Sequence, residues 1–134
     1  MVKMPQDVRQ TLEKQKPLPI ATASSDGTPN VVFVGLFKVL DDETVMLVDN
    51  FFKKTAENLA QNPKVSLLCY SPETKKSFQI KGSVETCKEG QTYEEMKGWV
   101  KGVNEKLPAK GCAIVKVQEI YNAMWGPGAG DKIA

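Results

Sequence analysis

Short runs of strand-forming residues joined by tight turns limit the folds that this chain can adopt. Runs rich in β-branched and aromatic residues are typical of strands, and six of them occur, at 18–24, 30–40, 44–49, 64–71, 77–88 and 111–126. Most connections are too short for the crossover that joins parallel strands, and one carries Asp26-Gly27, a strong hairpin signal. The pattern predicts about six antiparallel strands, which lose their exposed edges by closing into a barrel.

Three segments between these strands have helical character. Residues 5–15 repeat apolar residues four positions apart, and the segment after Lys54 ends at Asn62-Pro63, because a residue before proline avoids helical angles. Residues 89–107 carry an apolar stripe that predicts core packing, formed by Tyr93, Met96, Val100, Val103 and Leu107. We therefore predict one mainly β domain, residues 1–134, with about three short helices.

The net charge and the missing residue types exclude several functions. Lys and Arg total 18 and Asp and Glu total 16, and the resulting net charge of +2 is too small to indicate binding to nucleic acid or to a membrane surface. No apolar run approaches the length of a membrane span, and no signal-peptide core is visible, so we expect a cytoplasmic protein. The chain has no histidine, which removes the usual nucleophilic triads and metal-ligand sets. We predict no metal site, and difficult chemistry would need a cofactor.

The three cysteines are far apart in the sequence. Cys69, Cys87 and Cys112 each lie in a strand-like segment, and no CxxC pair is present. Buried free thiols are typical of such a distribution, so we expect neither a disulfide nor a zinc site.

The start of the second predicted helix carries the clearest chemical signal. Lys53 and Lys54 fall where this helix begins, directly after the strand at 44–49 and a short turn. A helix N-terminus has unpaired N–H groups and a partial positive charge, so lysine is mildly unfavourable there. Two interpretations stay open on local grounds. The lysines are solvated surface residues, or a bound anion such as a phosphate completes a site that also includes Thr55 and Asn58.

The sequence around these lysines resembles a known family. The chain reads VDNFFKKTAENLAQNPKVSLLCYS, then FQIKGSVE, then an acidic helix. The order of elements is similar to that of the pyridoxamine 5′-phosphate oxidase-like FMN-binding split barrels. It runs from a strand through a loop, a basic residue followed by Thr and a short helix to Asn-Pro before the next strand. The resemblance covers nearly the whole chain. It implies a six-stranded antiparallel split β-barrel with Greek-key character that binds FMN as a homodimer.

The resemblance also implies which residues hold the cofactor. Lys54 and Thr55 would contact the FMN phosphate, with Asn58 close by and Lys53 adding positive charge. The isoalloxazine ring would lie at the dimer interface along two stretches of backbone, Val32, Phe33 and Val34 in one and Asp49, Asn50, Phe51 and Phe52 in the other. Gln79 and Trp125 are candidates to approach the flavin from the partner subunit, although Trp125 also fits as a buried anchor for the C-terminal segment.

Three classes of function stay open at this level. The chain is an FMN-dependent oxidoreductase, an electron carrier that holds FMN for a protein partner, or a related barrel that binds the deazaflavin F420. No catalytic acid or base stands out. The arginine and histidine that bind substrate near the C-terminus of pyridoxamine phosphate oxidases have no counterpart in MWGPGAGDKIA, and Arg9 is the only arginine. We therefore do not expect pyridoxamine phosphate as the substrate, and the small-molecule or protein redox partner stays unidentified.

Overall fold

Seven strands and three helices form the chain in a computed structural model that describes residues 1–134. In chain order they are α1 (Gln6–Glu13), β1 (Leu18–Ala23), β2 (Pro29–Val34), β3 (Phe37–Asp41), β4 (Thr44–Asp49), α2 (Lys54–Gln61), β5 (Lys64–Tyr70), β6 (Ser77–Cys87), α3 (Gln91–Val103) and β7 (Gly111–Asn122). None of the three helices combines the length and the apolar character that crossing a membrane requires.

All seven strands belong to one antiparallel sheet in the order β2-β1-β5-β6-β7-β4-β3. The two strands at the ends of this order, β2 and β3, are consecutive in the chain and are joined only by Gly35 and Leu36. A link of two residues spans only several ångströms, so the sheet curls until its ends approach each other. The predicted mainly β split barrel is confirmed, with seven strands in place of six.

The additional strand comes from the run at 30–40, which we expected to be a single strand. The chain instead breaks at Gly35, and β2 pairs with β1 while β3 pairs with β4. The backbone N–H of Val48 still donates to the carbonyl of Leu36 at 3.1 Å, so pairing with β4 begins directly after the break. Strand formers stand on both sides of Gly35, and for this reason the break is not visible in the sequence.

Strand β4 is buried on both faces, which ties the barrel to α3. Val45 and Leu47 point into the barrel core together with residues from the other strands and from α1. Met46 and Val48 point the other way and pack beneath α3 in a smaller cluster with Met96, Val100, Ala109 and Cys112. Burial of each such side chain contributes about 1.5–3 kcal/mol, so β4 is held firmly from both sides.

The cysteines differ from our expectation. Cys87 and Cys112 lie directly opposite each other in the β6–β7 register, with their Cα atoms 5.4 Å apart, and form a disulfide. The prediction of free thiols was wrong for these two because residues 25 positions apart become neighbours only through strand pairing. Cys69 is free and buried as predicted, and burial raises the pKa of its thiol to about 12.

Candidate functional site

A cavity of about 740 Å³ lies beside the break between β2 and β3. Three parts of the chain line it: β2 with the two residues after it, the loop from β4 into α2, and the end of α3 with the segment that follows. The lining residues are Asn30, Val32, Phe33, Val34, Gly35, Leu36, Val48, Asn50, Phe51, Phe52, Lys53, Lys54, Thr55, Val103, Asn104 and Leu107. The cavity therefore has a mostly apolar body and two lysines, Lys53 and Lys54, at the start of α2.

Most of the residues predicted to bind the cofactor line this one cavity. They are Val32, Phe33, Val34, Asn50, Phe51, Phe52, Lys53, Lys54 and Thr55. Asp49, Asn58, Gln79 and Trp125 do not line it. The structure thus brings together the two predicted backbone stretches and the helix start, and it gives the remaining four residues other positions.

The start of α2 leaves backbone donors without a side-chain cap. Lys53 is the N-cap residue and makes no side-chain capping hydrogen bond, and α2 begins at Lys54. The first N–H groups of a helix have no partner within the helix, so here they are free to meet an external acceptor. The ammonium groups of Lys53 and Lys54 are exposed beside them, while Thr55 is only 2 % exposed. The arrangement suits a bound anion.

A small polar network fixes the hydroxyl of Thr55. The side-chain amide of Asn30 donates to Thr55 Oγ1 at 3.1 Å and to Thr22 Oγ1 at 3.2 Å. Asn58 is buried and donates from its amide to the same Thr22 oxygen at 3.0 Å. Asn58 therefore faces β1 rather than the cavity and supports α2 from behind. Because Thr55 Oγ1 accepts from Asn30, its own hydroxyl hydrogen is available to an acceptor in the cavity.

Asn30 was missed in the sequence, although a signal for it exists. It begins the β2 run and lies on the same alternating face as Val32 and Val34, which places it inside the barrel. A polar residue on an inward face needs a hydrogen-bonding partner, and Thr55, which lies on α2, is distant in sequence.

The end of α3 also differs from the prediction. We assigned Val103 and Leu107 to the core stripe of this helix, but α3 ends at Val103 and its C-cap residue, Asn104, has extended backbone angles. Val103 is exposed, Leu107 is half-buried, and both contribute to the wall of the cavity. The helix stops earlier than the apolar repeat suggests. Leu107 still packs against the cluster beneath α3, as predicted, and also lines the cavity, whereas Val103 is exposed and does not join that cluster.

Asp49 and Asn50 connect the β4–α2 loop to the segment before β7. Asp49 Oδ1 accepts the backbone N–H of Phe52 at 2.9 Å and lies 3.6 Å from Lys110 Nζ. Asn50 Oδ1 accepts the backbone N–H of Ala109 at 2.9 Å. The carboxylate of Asp49 is thus engaged within the protein, which explains its absence from the cavity wall.

Gln79 and Trp125 lie outside the cavity of their own chain. Gln79 pairs with Leu68 on one side and with Tyr121 on the other, so it lies in the middle of the sheet on its outer face. Trp125 follows β7 and is 85 % exposed, which excludes the alternative of a buried anchor. Contact with a flavin by either residue would need a second copy of the chain, and this stays a prediction.

The sequence and the fold match a family known from other proteins. The chain belongs to the pyridoxamine 5′-phosphate oxidase family, whose model matches residues 4–123. An uncharacterized protein of Methanocaldococcus jannaschii is 39 % identical over 136 aligned positions, which cover 100 % of this chain and 90 % of the relative. A pyridoxine/pyridoxamine 5′-phosphate oxidase of Nostoc sp. is 26 % identical, and the match covers 84 % of this chain but only 58 % of that enzyme.

Solved structures share the same fold. HupZ of Group A Streptococcus has a TM-score of 0.79 at 25 % identity, and the match covers 97 % of this chain and 100 % of HupZ. An FMN-binding protein of Syntrophomonas wolfei has a TM-score of 0.72 at 17 % identity, with 85 % and 86 % of the two chains covered. An F420 reductase has a TM-score of 0.68 at 19 % identity, with 87 % and 98 % covered. Proteins with different functions thus share this fold, and the fold by itself does not select a cofactor.

Proposed function

We propose that this protein binds FMN in the cavity beside the β2–β3 break and works as a flavin-dependent oxidoreductase. The observation that carries the proposal is the distribution of charge. Among the residues that line the cavity, only Lys53 and Lys54 are ionisable, and both lie at the uncapped start of α2. A phosphate monoester carries nearly two negative charges at neutral pH, and its oxygens would accept from the ammonium groups, the free amides and the Thr55 hydroxyl.

The rest of the cavity suits the other end of FMN. Small-molecule sites usually measure about 300–1,000 Å³ and combine apolar walls with a few polar groups. Here the volume is about 740 Å³, and the walls away from the lysines include Val32, Val34, Leu36 and Val48. A flat ring system would contact these side chains, while backbone groups of β2 and of the β4–α2 loop would meet its polar edge. The residues present therefore fit a ligand that joins a phosphate to a large aromatic ring.

The protein's own part in the chemistry would be binding and orientation. Bound FMN supplies electron and hydride transfer, which this set of side chains cannot perform. The cavity contains no carboxylate, histidine or cysteine, and its two ionisable side chains, Lys53 and Lys54, are assigned to the phosphate, which leaves no further side chain of the same chain to move a proton to or from a substrate. The residues would hold the phosphate at one end, support the ring along its length, and exclude water with the apolar wall.

Pyridoxamine phosphate does not suit this site as a substrate. Recognition of a second phosphate usually depends on arginine, whose planar group binds two oxygens at once. Arg9 is the only arginine, and it pairs with Asp42 at 2.7 Å and with Glu13 at 3.3 Å, outside the cavity. We infer that the oxidised or reduced partner is another small molecule or a protein.

Two other functions compete with this proposal. An electron carrier would hold FMN in the same way and pass electrons to a protein, which the lack of a carboxylate, histidine or cysteine in the cavity also allows. A deazaflavin such as F420 also joins a flat ring to a phosphate group, and the F420 reductase shares the fold. Reduction by NADH or NADPH followed by oxidation with small acceptors separates an oxidoreductase from an electron carrier. The absorption spectrum separates FMN from F420.

We also propose that the protein is a homodimer joined through the outer face of β2, β1 and β5. Val31 and Phe33 on β2 are 71 % and 69 % exposed, and Leu68 and Tyr70 on β5 are exposed on the same sheet. An apolar surface of this kind on neighbouring strands is typical of an interface. Gln79 lies directly opposite Leu68 in the register, so a second copy seated here would bring Gln79 to its partner.

The proposed site is tested by titrating the purified protein with FMN and with riboflavin, which lacks the phosphate. We expect Lys54→Ala to weaken FMN binding about tenfold or more, because hydrogen bonds to charged groups contribute about 1.5–3 kcal/mol. Riboflavin binding should change little. Lys14→Ala is the matched control, since Lys14 is exposed at the end of α1 and outside the cavity.

Four results would contradict this proposal. Wild-type protein that gives no binding signal with FMN would remove the cofactor assignment. Tighter binding of F420 than of FMN would replace it, and a haem spectrum in the purified protein would do the same. Equal FMN affinity in Lys54→Ala and wild type would place the phosphate elsewhere.

A further inference from the structure

Lys110 lies outside the cavity but contacts the loop that leads into the anion site. Its Nζ donates to the carbonyl oxygen of Phe52 at 3.0 Å and lies 3.6 Å from Asp49 Oδ1. Asp49 in turn accepts the N–H of Phe52 at 2.9 Å. Both polar groups of the Phe52 backbone are therefore held by this pair of charged residues, although the side chain of Lys110 is itself largely exposed.

The hydrogen bond to Phe52 has a direct effect on the next residue. The carbonyl of Phe52 and the N–H of Lys53 belong to the same peptide unit, which is planar and trans, so they point in opposite directions. When Lys110, which does not line the cavity, holds the carbonyl, the orientation of the Lys53 N–H is fixed as well. Lys53 is the N-cap residue of α2, at the start of the proposed phosphate site.

The backbone around Lys110 is itself firmly held. The N–H of Lys110 donates to the carbonyl of Asp49 at 2.9 Å, and the neighbouring Ala109 donates its N–H to Asn50 Oδ1 at 2.9 Å. Ala109 is fully buried and has a φ of 46°, a left-handed conformation that costs a non-glycine residue of order 1–3 kcal/mol and persists only where the surroundings enforce it. Tyr93 also donates its hydroxyl to the Ala109 carbonyl at 3.3 Å. Lys110 thus extends from a rigid support.

We propose that Lys110 is a positioning residue for the phosphate site: it holds the Phe52–Lys53 peptide so that the start of α2 is presented to the anion. This inference rests on the proposed function. Lys110 does not contact the phosphate in this account, and its charge is balanced locally by Asp49 at 3.6 Å. Its contribution comes through the geometry of the loop, which would otherwise lose conformational entropy when the anion binds.

The test compares four variants in FMN and riboflavin titrations. Lys110→Met keeps the aliphatic stem and removes the donors, and it should weaken FMN binding about tenfold while riboflavin binding stays within about twofold. Lys110→Arg keeps a charged donor and should restore most of the affinity. Lys106→Met is the matched control, because Lys106 is exposed in the same connecting segment and its ammonium group has no hydrogen-bond or ion-pair partner. Lys54→Ala serves as the contact variant.

Combining Lys54→Ala with Lys110→Met gives a further readout. If Lys110 acts by presenting the helix start, the fold-loss of FMN affinity in the double variant should be much smaller than the product of the fold-losses in the two single variants. The effects of residues that act through one loop are not additive. Should Lys110→Met fail to fold, Lys110→Leu, which also lacks a hydrogen-bond donor, carries the same expectation.

The outcomes distinguish this inference from the proposed function. Wild type that fails to bind FMN removes both. The positioning role alone is overturned if wild type binds FMN, Lys54→Ala loses FMN binding, and Lys110→Met keeps the wild-type affinity for FMN. Equal losses of FMN and riboflavin in Lys110→Met also overturn it, because the effect would then not depend on the phosphate.

Discussion

At the scale of single residues, Lys53 and Lys54 stand where lysine is unfavourable for the helix, and a neighbouring anion would offset that cost. Lysine at a helix N-terminus opposes the helix dipole by about 0.3–1 kcal/mol, and no side chain caps this end. The same end opens into a cavity that has no other ionisable residue. A bound phosphate would turn the repulsion into attraction, which is the reason for assigning this end of the cavity to the anion.

The sequence predicted this part of the site because the signal is local. Lys54, Thr55 and the stop at Asn62-Pro63 follow one another along the chain, and their order indicates a helix that starts with lysines. On local grounds a solvated surface and a bound anion stayed equally open, and the family resemblance favoured the anion. The roles of Asn30 and Lys110 could not be predicted in the same way, because each depends on a partner that only the folded chain brings near. Their contacts are with Thr55 and Phe52, which are far from them in sequence.

A prediction at the residue scale concerns Asp26 in the β1–β2 turn. The hydroxyl of Ser24, followed by the N–H and hydroxyl of Thr28, holds the pKa of Asp26 down to about 2 from its usual 3.8. A pKa lowered by folding means that the charged carboxylate stabilises the fold above about pH 4, and that this contribution is lost as the pH falls toward 2.

The measurement is urea unfolding of wild type and Asp26→Asn. We expect the variant to be less stable at pH 7 and the difference to shrink between pH 4 and pH 2. Glu89→Gln, an exposed position in another turn, is the control. A difference between wild type and Asp26→Asn that does not depend on pH would contradict the role of the charge.

At the scale of elements, the connection from β6 through α3 to β7 forms one wall of the cavity and also supports the β4–α2 loop. Val103 and Leu107 contribute to the wall, and Ala109 and Lys110 hold the loop. The sequence predicted α3 from its periodicity but not its end at Val103, because an apolar repeat that continues past a helix looks the same whether its last members pack in the core or line a cavity.

The disulfide gives a prediction for this connection. Cys87 and Cys112 close a loop that contains all of α3, whereas Cys69 is buried with a pKa of about 12. We expect no thiol labelling of the folded protein at pH 8 without reductant, because the reactive thiolate form of Cys69 is scarce and inaccessible. After unfolding, mass spectrometry should show one label without reductant and three with it.

Three labels on the unfolded protein without prior reduction would show that Cys87 and Cys112 are thiols in solution. A Cys69→Ala variant provides the control, since it should take no label until the disulfide is reduced. Together the two proteins assign each label to its residue.

At the scale of the whole molecule, the outer face of β2, β1 and β5 is the surface through which we propose that two copies meet. Leu68→Glu places a carboxylate on this face next to Gln79, and a buried unpaired charge at an interface is strongly unfavourable. We expect the variant to elute as a monomer in gel filtration and to bind FMN more weakly than wild type, because Gln79 and Trp125 of a second copy would no longer reach the site.

The exposed Glu73, in the turn after β5, provides a matched position for comparison. Glu73→Leu should leave the oligomeric state unchanged. A wild-type protein that sediments as a monomer at micromolar concentration would contradict the interface, and it would leave Gln79 and Trp125 without a role at the cofactor.

The gap between β2 and β3 has a consequence for how this molecule would respond to its ligand. The outer edge of β2 has no hydrogen-bonded neighbour, and the cavity lies along it. No residue of β3 lines this cavity, so a bound molecule would contact β2, the Gly35-Leu36 link and the β4–α2 loop. Ligand binding should therefore slow amide hydrogen exchange in β2 and in the β4–α2 loop together, and the protein without ligand should exchange faster along the open edge of β2.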